Sequence, residues 1–327
     1  MKRARVIGTG SYLPEKILTN FDLEKMVDTN NEWIIARTGI EQRRIAADSE
    51  NTSDLATKAA ERALEMAGIG AEEIDLIVVG TITGDYPWPA TACIVQNNLG
   101  AKNAYAYDVS AACSGFVYAL SNATDFLEAG RGQKALVIGS EILSRVIDWS
   151  DRNTCVLFGD GAGAVVLDLQ EGEAGVLSTH MHSDGSYLEL LYQPGFSTRN
   201  LPTPEAIADP QNYTLKMQGN EVFKVAVRSL TEVSKEALAA NKLSHKDVDL
   251  FIPHQANRRI LEATAKRLKL TDEQCFINVN KYGNTSGATI PIAMDEAYRQ
   301  GLLKEGSLVL MAAFGGGFTW GSVLLRW

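Results

Sequence analysis

Three polar residues, Cys113, His254 and Asn284, stand in settings that suit chemistry. Cys113 lies between a strand-like run at 104–109 and a helical stretch over 114–129 that Gly130 closes. A thiol at a helix N-terminus meets free backbone N–H groups and the positive end of the helix dipole, and both favour the nucleophilic thiolate. Ala111, Ala112, Ser114 and Gly115 are small enough to leave the sulfur approachable. His254 follows the apolar run 248–253. That places it at a strand's carboxyl end, where α/β sites collect. Asn284 sits in Tyr282-Gly283-Asn284-Thr285-Ser286-Gly287-Ala288; taken alone, an Asn there is turn chemistry. Phe314-Gly315-Gly316-Gly317-Phe318 follows a strand at 308–311 and offers bare backbone N–H groups suited to an oxyanion. A lone cysteine is as readily a small buried hydrophobe. Together the four segments converge on acyl transfer through a cysteine thioester.

The elements that must position these residues read as α/β. Runs such as 74–79 and 135–138 are almost wholly apolar, which suits strands covered on both faces. Between them, 54–67 is rich in Ala, Leu, Glu and Lys, follows the cap-type residues Thr52 and Ser53, and stops at Gly68. The stretch from Ala63 to Leu76 lies over that from Ala237 to Leu250, and 135–138 over 307–310 at nearly the same offset. Two similar halves are expected, 1–172 carrying the cysteine and 173–327 carrying the histidine and asparagine. A proline-rich segment, 185–211, is expected as a surface excursion joining them.

With 327 residues, 45% hydrophobic, the chain can bury a large core. A net charge of -9 argues against nucleic acid and anionic membrane as partners. No apolar run is long enough to span a bilayer, and the N-terminus lacks a signal-peptide core. The four cysteines share no CxxC spacing, so neither zinc nor disulfides are indicated. A reducing, cytoplasmic compartment is expected. Gly8-Thr9-Gly10 begins like a dinucleotide fingerprint but continues to Leu13-Pro14, and reads as an ordinary turn. Phe158-Gly159-Asp160-Gly161-Ala162-Gly163-Ala164 lacks the Lys-Ser/Thr pair of a phosphate loop and reads as a structural turn. His180 and His182 lack a third metal ligand, His245 sits in a polar turn, and Cys93, Cys155 and Cys275 read as buried packing.

Ala112-Cys113-Ser114-Gly115, His254-Gln255-Ala256-Asn257 and Gly283-Asn284-Thr285-Ser286 resemble the thiolase-like condensing enzymes, specifically the β-ketoacyl-acyl-carrier-protein synthases III. Further likeness runs through 28–40, 158–164, 219–224 and 314–321. The resemblance implies a duplicated five-layer α/β/α/β/α fold, a homodimer and an acyltransferase that starts fatty-acid synthesis. It implies that Cys113 takes an acyl group, with acetyl-CoA the expected primer, while the N–H groups of Cys113 and Gly316 hold the oxyanion. His254 and Asn284 would then stabilise the enolate formed as malonyl-carrier protein loses carbon dioxide. No metal or redox cofactor is implied; acyl-CoA is a substrate. For CoA it implies Trp33 and Arg152 around the adenine, Thr29 and Arg37 near the nucleotide, and Gly219 and Asn257 along the pantetheine. Trp88, Phe158, Phe223 and Phe314 would wall the acyl tunnel, with Trp88 closing it from the partner subunit. Lys224, Arg259, Lys266 and Arg267 would meet the acidic carrier protein. Asn153 stands where the family pattern has Gly, and Trp88 where it has Phe, two departures that bear on acyl preference.

A papain-like cysteine hydrolase shares the order Cys, His, Asn, but the chain lacks the Cys-Gly-Ser-Cys-Trp signature. A specialised condensing relative using another acyl-CoA is the nearer rival.

Overall fold

The computed structural model describes residues 2–327. Strands β1 (Lys2–Tyr12), β2 (Leu76–Gly80), β3 (Tyr105–Val109), β4 (Lys134–Ile142) and β5 (Asp160–Glu171) form one sheet in the order β1-β5-β4-β2-β3. β2 runs parallel to β3 and β4, and β5 runs antiparallel to β4 and β1. A second sheet holds β6 (Gly175–Ser183), β7 (Leu250–Pro253), β8 (Leu308–Gly315) and β9 (Thr319–Arg326) in the order β7-β8-β9-β6. β7 and β8 are parallel, and the other two pairings antiparallel. The second sheet thus repeats the order and senses of the first. Where the first has β3, the second has a parallel bridge from Phe251 to Cys275.

Every residue of β2 is buried, so both faces of its sheet need cover. Helix α1 (Asn31–Thr38) buries Ile34 in a separate apolar cluster with Leu23, Leu143 and Phe158. α2 (Thr52–Ala67) packs on β1, β5 and β4, with α3 (Thr91–Leu99) beside it. α4 (Gly115–Glu128) buries Phe116, Val117, Leu120, Ala123, Phe126 and Leu127 around most of its circumference. A helix so apolar belongs in an interior. It lies between the sheets with α7 (Thr289–Arg299), while α5 (Gly219–Ala240) covers the second sheet and carries α6 (Arg258–Leu268). The layers are therefore α/β/α/β/α. One apolar cluster joins Val78 and Val137 of the first sheet, Leu120, Ile290 and Met294 of the central helices, and Ile252 and Met311 of the second sheet.

Four expectations need correction. Gly8-Thr9-Gly10 is no turn but the interior of β1, bulged between Val6 and Gly8. A Cβ at Gly10 would come 2.4 Å from the Ala59 carbonyl, so the glycine is there to let α2 lie on the strand. The glycines at 161 and 163 are likewise already within β5, and a Cβ at 163 would meet Ile292 N at 2.6 Å. Segment 185–211 does not join the sheets: the chain leaves the first at Glu171 and enters the second at Gly175, before that excursion begins. Cys93 is exposed on α3 rather than buried. All four cysteines are free.

Candidate active site

After β3 the chain makes one 3₁₀ turn, Ala112–Ser114, and then becomes α4. Ala112 is held at φ 46, a strained value that sharpens the turn carrying Cys113. Ser114 Oγ donates to Thr319 O at 2.9 Å, and Thr319 Oγ1 donates to Ala111 O at 3.0 Å, so β9 pins the turn on both sides. The glycine run leaving β8 presses against the same backbone. A Cβ at Gly315 would lie 2.6 Å from Cys113 N and 3.0 Å from Ser114 N, which only glycine avoids. Gly316 follows on the cavity wall beside Cys113.

Burial pushes the Cys113 thiol up to about 12; the Ser286 hydroxyl opposes the rise and charge on Glu141 adds to it. Burial therefore opposes the helix terminus, which favours the thiolate. Glu141, fully buried in β4, accepts from Ile82 N at 3.2 Å, from Thr81 Oγ1 at 3.3 Å and from Thr83 Oγ1. Burial also raises its carboxyl, to about 7.

His254 directly follows β7, and its backbone N–H donates to Ala312 O at 2.8 Å. Its Nδ1 lies 2.7 Å from Thr289 Oγ1. Burial pulls the imidazole down to about 3, so the ring is neutral at physiological pH. Asn284 is bound into the Phe158 segment: its N–H donates to Leu157 O at 2.8 Å, and its carbonyl accepts from Gly159 N at 3.1 Å. Ser286 N donates to Asn284 Oδ1 at 2.8 Å. With the oxygen so engaged, the amide NH2 is the end left to donate.

Cys113, His254 and Asn284, from three distant segments, line one cavity of about 1120 Å³. Phe158, Phe223 and Phe314 line it too, as do Trp33, Arg37, Gly219 and Asn257. Asn257 also caps α6, accepting from Arg259 N at 2.9 Å, and donates to Arg37 O at 3.1 Å. The Thr29 hydroxyl is buried without a partner. Arg152 lies 5.2 Å from the Trp33 ring centre and bonds to Asp28. That is direct cation–π contact, which leaves no room for a base between them unless Arg152 swings aside. Asn153 lines the cavity, its amide donating to Asp151 Oδ1 at 2.9 Å.

Trp88 does not wall the tunnel of its own chain: it is 83% exposed and outside the cavity. Lys224 and Arg259 line the cavity, whereas Lys266 and Arg267 are exposed on the last turn of α6, away from it. Among the described residues no group of three or more ligand-type side chains could hold a metal. His180 and His182 both engage Glu236, at 3.3 and 2.6 Å. Sequence reasoning missed Leu188, Leu191, Tyr192 and Gln193, which the 185–211 excursion folds back onto the cavity. It also missed Thr289 and Glu141. Only Glu141 left a signal, an acid within an otherwise buried strand.

Residues 107–185 match the family model described as 3-oxoacyl-[acyl-carrier-protein] synthase III, and residues 238–327 match its C-terminal counterpart. A β-ketoacyl-[acyl-carrier-protein] synthase III of Xanthomonas campestris pv. campestris is 56% identical over 327 residues, covering 99% of this chain and 98% of the relative. One from Caldanaerobacter subterraneus subsp. tengcongensis is 53% identical over 324 residues, with coverage of 99% and 98%. The crystal structure of 3-oxoacyl-[acyl-carrier-protein] synthase III from Aquifex aeolicus VF5 superposes with a TM-score of 0.92 at 51% identity, covering 99% of this chain and 100% of that one. Fold and cavity together define a thiolase-like condensing enzyme, an acyltransferase. Within that class the chain belongs to the 3-oxoacyl-[acyl-carrier-protein] synthase III family. The papain-like and specialised readings are not favoured.

Proposed function

We propose that the protein condenses acetyl-CoA with malonyl-carrier protein, releasing CoA and carbon dioxide and forming the 3-oxoacyl-carrier protein that begins a fatty acid. The observation that carries this is the meeting of Cys113, His254 and Asn284 on one cavity with the glycine run of β8 against the cysteine's backbone. In the first half-reaction the Cys113 sulfur attacks the acetyl carbonyl. Its proton leaves with the CoA thiol, and the oxyanion rests on the N–H groups of Cys113 and Gly316. Malonyl-carrier protein then enters. His254 and Asn284 donate to its thioester oxygen as the carboxylate departs, and the resulting carbanion attacks the acetyl-Cys113 carbonyl. Two fixed donors in a dry cavity meet the charge where it develops, without reorganisation.

In this reading Trp33 and Arg152 sandwich the adenine once Arg152 swings aside, with Arg37 near the nucleotide's phosphates. Thr29 offers its unpartnered hydroxyl to the nucleotide. Gly219 and Asn257 follow the pantetheine arm. Phe158, Phe223 and Phe314 bound the acyl end, and Lys224, Arg259, Lys266 and Arg267 receive the acidic carrier protein. No metal or redox cofactor takes part. The working protein is a homodimer in the cytoplasm. Support for the dimer is the free edge of the first sheet at β3, with Tyr105 52% exposed and Trp88 exposed nearby. In this reading Trp88 closes the acyl tunnel of the partner subunit. The halves 1–172 and 173–327 are read as the duplicated units.

Incubation with acetyl-CoA, longer straight-chain and branched acyl-CoAs, followed by peptide mass spectrometry, tests the reading. Acetylation confined to the Cys113 peptide is the expected result. Labelling only by a longer or branched donor would move the substrate to another acyl-CoA, and no acylation by any donor would overturn the acyl-CoA-primed mechanism.

A further inference from the structure

A neutral imidazole carries one proton, and the hydrogen bond at one nitrogen decides which nitrogen keeps it. His254 is neutral in its buried setting. Its Nδ1 meets a single side chain, Thr289, at 2.7 Å in a buried contact. Thr289 has one hydroxyl proton and two acceptors within reach, Nδ1 and the Ser286 carbonyl at 3.0 Å. The Ser286 carbonyl already accepts the backbone N–H of Thr289. The hydroxyl can therefore turn to the imidazole without stranding a buried carbonyl.

We propose that Thr289 is a positioning residue that donates its hydroxyl proton to Nδ1 of His254 and so holds the ring as the Nε2–H tautomer, its one N–H directed at the substrate. The inference rests on His254 acting as a hydrogen-bond donor to the thioester oxygen. With the proton on Nδ1 instead, a lone pair would face an oxygen gaining negative charge and oppose the decarboxylation it should assist. Thr289 is suited to the task because it is the first residue of α7, packed between the two sheets, and is itself buried. Its hydroxyl is held by the most enclosed layer of the fold. Asn284 is oriented from the same segment, through Ser286 N, so one short stretch sets both donors.

Nitrogen-15 NMR of the full chain labelled at its four histidines reads the tautomer directly, with His254 assigned by the loss of its signals in His254→Asn. The expected spectrum has the one-bond proton coupling on Nε2 and none on Nδ1. A proton found on Nδ1 in the wild-type protein overturns the proposal, and that result needs no variant to fold. Thr289→Val, with its unfolding midpoint checked, should shift the proton toward Nδ1. It should slow malonyl-carrier decarboxylation by at least about tenfold, on the scale of tautomer and supporting-shell defects, while acetyl transfer to Cys113 stays near wild type. Thr289→Ser should restore both spectrum and rate. A Thr289→Val protein that keeps the Nε2–H tautomer and the wild-type decarboxylation rate also overturns it. Full condensation by His254→Ala would sink the underlying reading of His254 as donor, an outcome separate from the tautomer spectrum.

Discussion

Burial pushes the Cys113 thiol up to about 12 and the His254 imidazole down to about 3, which favours the uncharged form of each in the free site. The thiolate fraction then grows tenfold per pH unit at any pH below the thiol's own value. Iodoacetamide labelling of the Cys113 peptide, followed by mass spectrometry, should therefore accelerate steadily from pH 6 to 9 with no plateau; a plateau near pH 7 would show that the helix terminus wins over desolvation. His254 and Asn284 are assigned to the second half-reaction alone. Replacing either by Ala should cut malonyl-carrier decarboxylation by about 10²–10³-fold, the cost of one oxyanion-type donor, while single-turnover acetyl transfer to Cys113 persists. The three residues were legible because small or glycine-flanked neighbours at strand ends leave polar side chains open to a ligand. Thr289 was not, because its meaning lies in a contact with His254, 35 residues away in sequence. Spacing reports the helix start that favours a thiolate at Cys113 but not the burial that opposes it.

Close packing of helices on strands holds these side chains in place, and small residues permit it. Gly10→Ala would drive a methyl toward the Ala59 carbonyl, with a Cβ contact of 2.4 Å, forcing α2 off β1. We expect a loss of about 1–3 kcal/mol, typical of overpacking, read as a lower urea midpoint; an unchanged midpoint would show that the helix shifts freely. Helix α6 carries Arg259 at one end and Lys266 and Arg267 in its last turn. Reversing the latter two to Glu should raise KM for malonyl-carrier protein, with the difference shrinking as salt rises, and leave acetyl transfer from acetyl-CoA unaltered. Helix α4 was legible from its composition and Gly130, to within a residue at each end. The glycines of β1 and β5 were not. A glycine that opens a turn and one that admits a neighbouring helix look alike until the neighbour is known.

The repeated order of the two sheets accounts for how the site is assembled. The cysteine arrives from the first sheet, after its edge strand β3, and the histidine from the second, after β7, the counterpart of β2, so the site takes residues from non-equivalent strand ends of the two halves. The repeat was visible in sequence because doubly covered strands must be apolar in both copies. The course of 185–211 was not, since an irregular segment carries no periodicity to show that it returns to the cavity. With β3 exposed at the sheet edge, changing Tyr105 and Trp88 together to Glu should convert a dimer to monomer in sedimentation velocity; a dimer that survives would place the interface elsewhere.

In the proposed reaction one cysteine carries the acyl group between CoA and the malonyl-derived carbanion. Mass-resolved products from acetyl-CoA and malonyl-carrier protein test it most directly. The wild-type protein is expected to give 3-oxobutanoyl-carrier protein, with CoA and carbon dioxide released, and Cys113→Ala none. Condensation by Cys113→Ala at the wild-type rate, or wild-type turnover that yields only free acids, would contradict it.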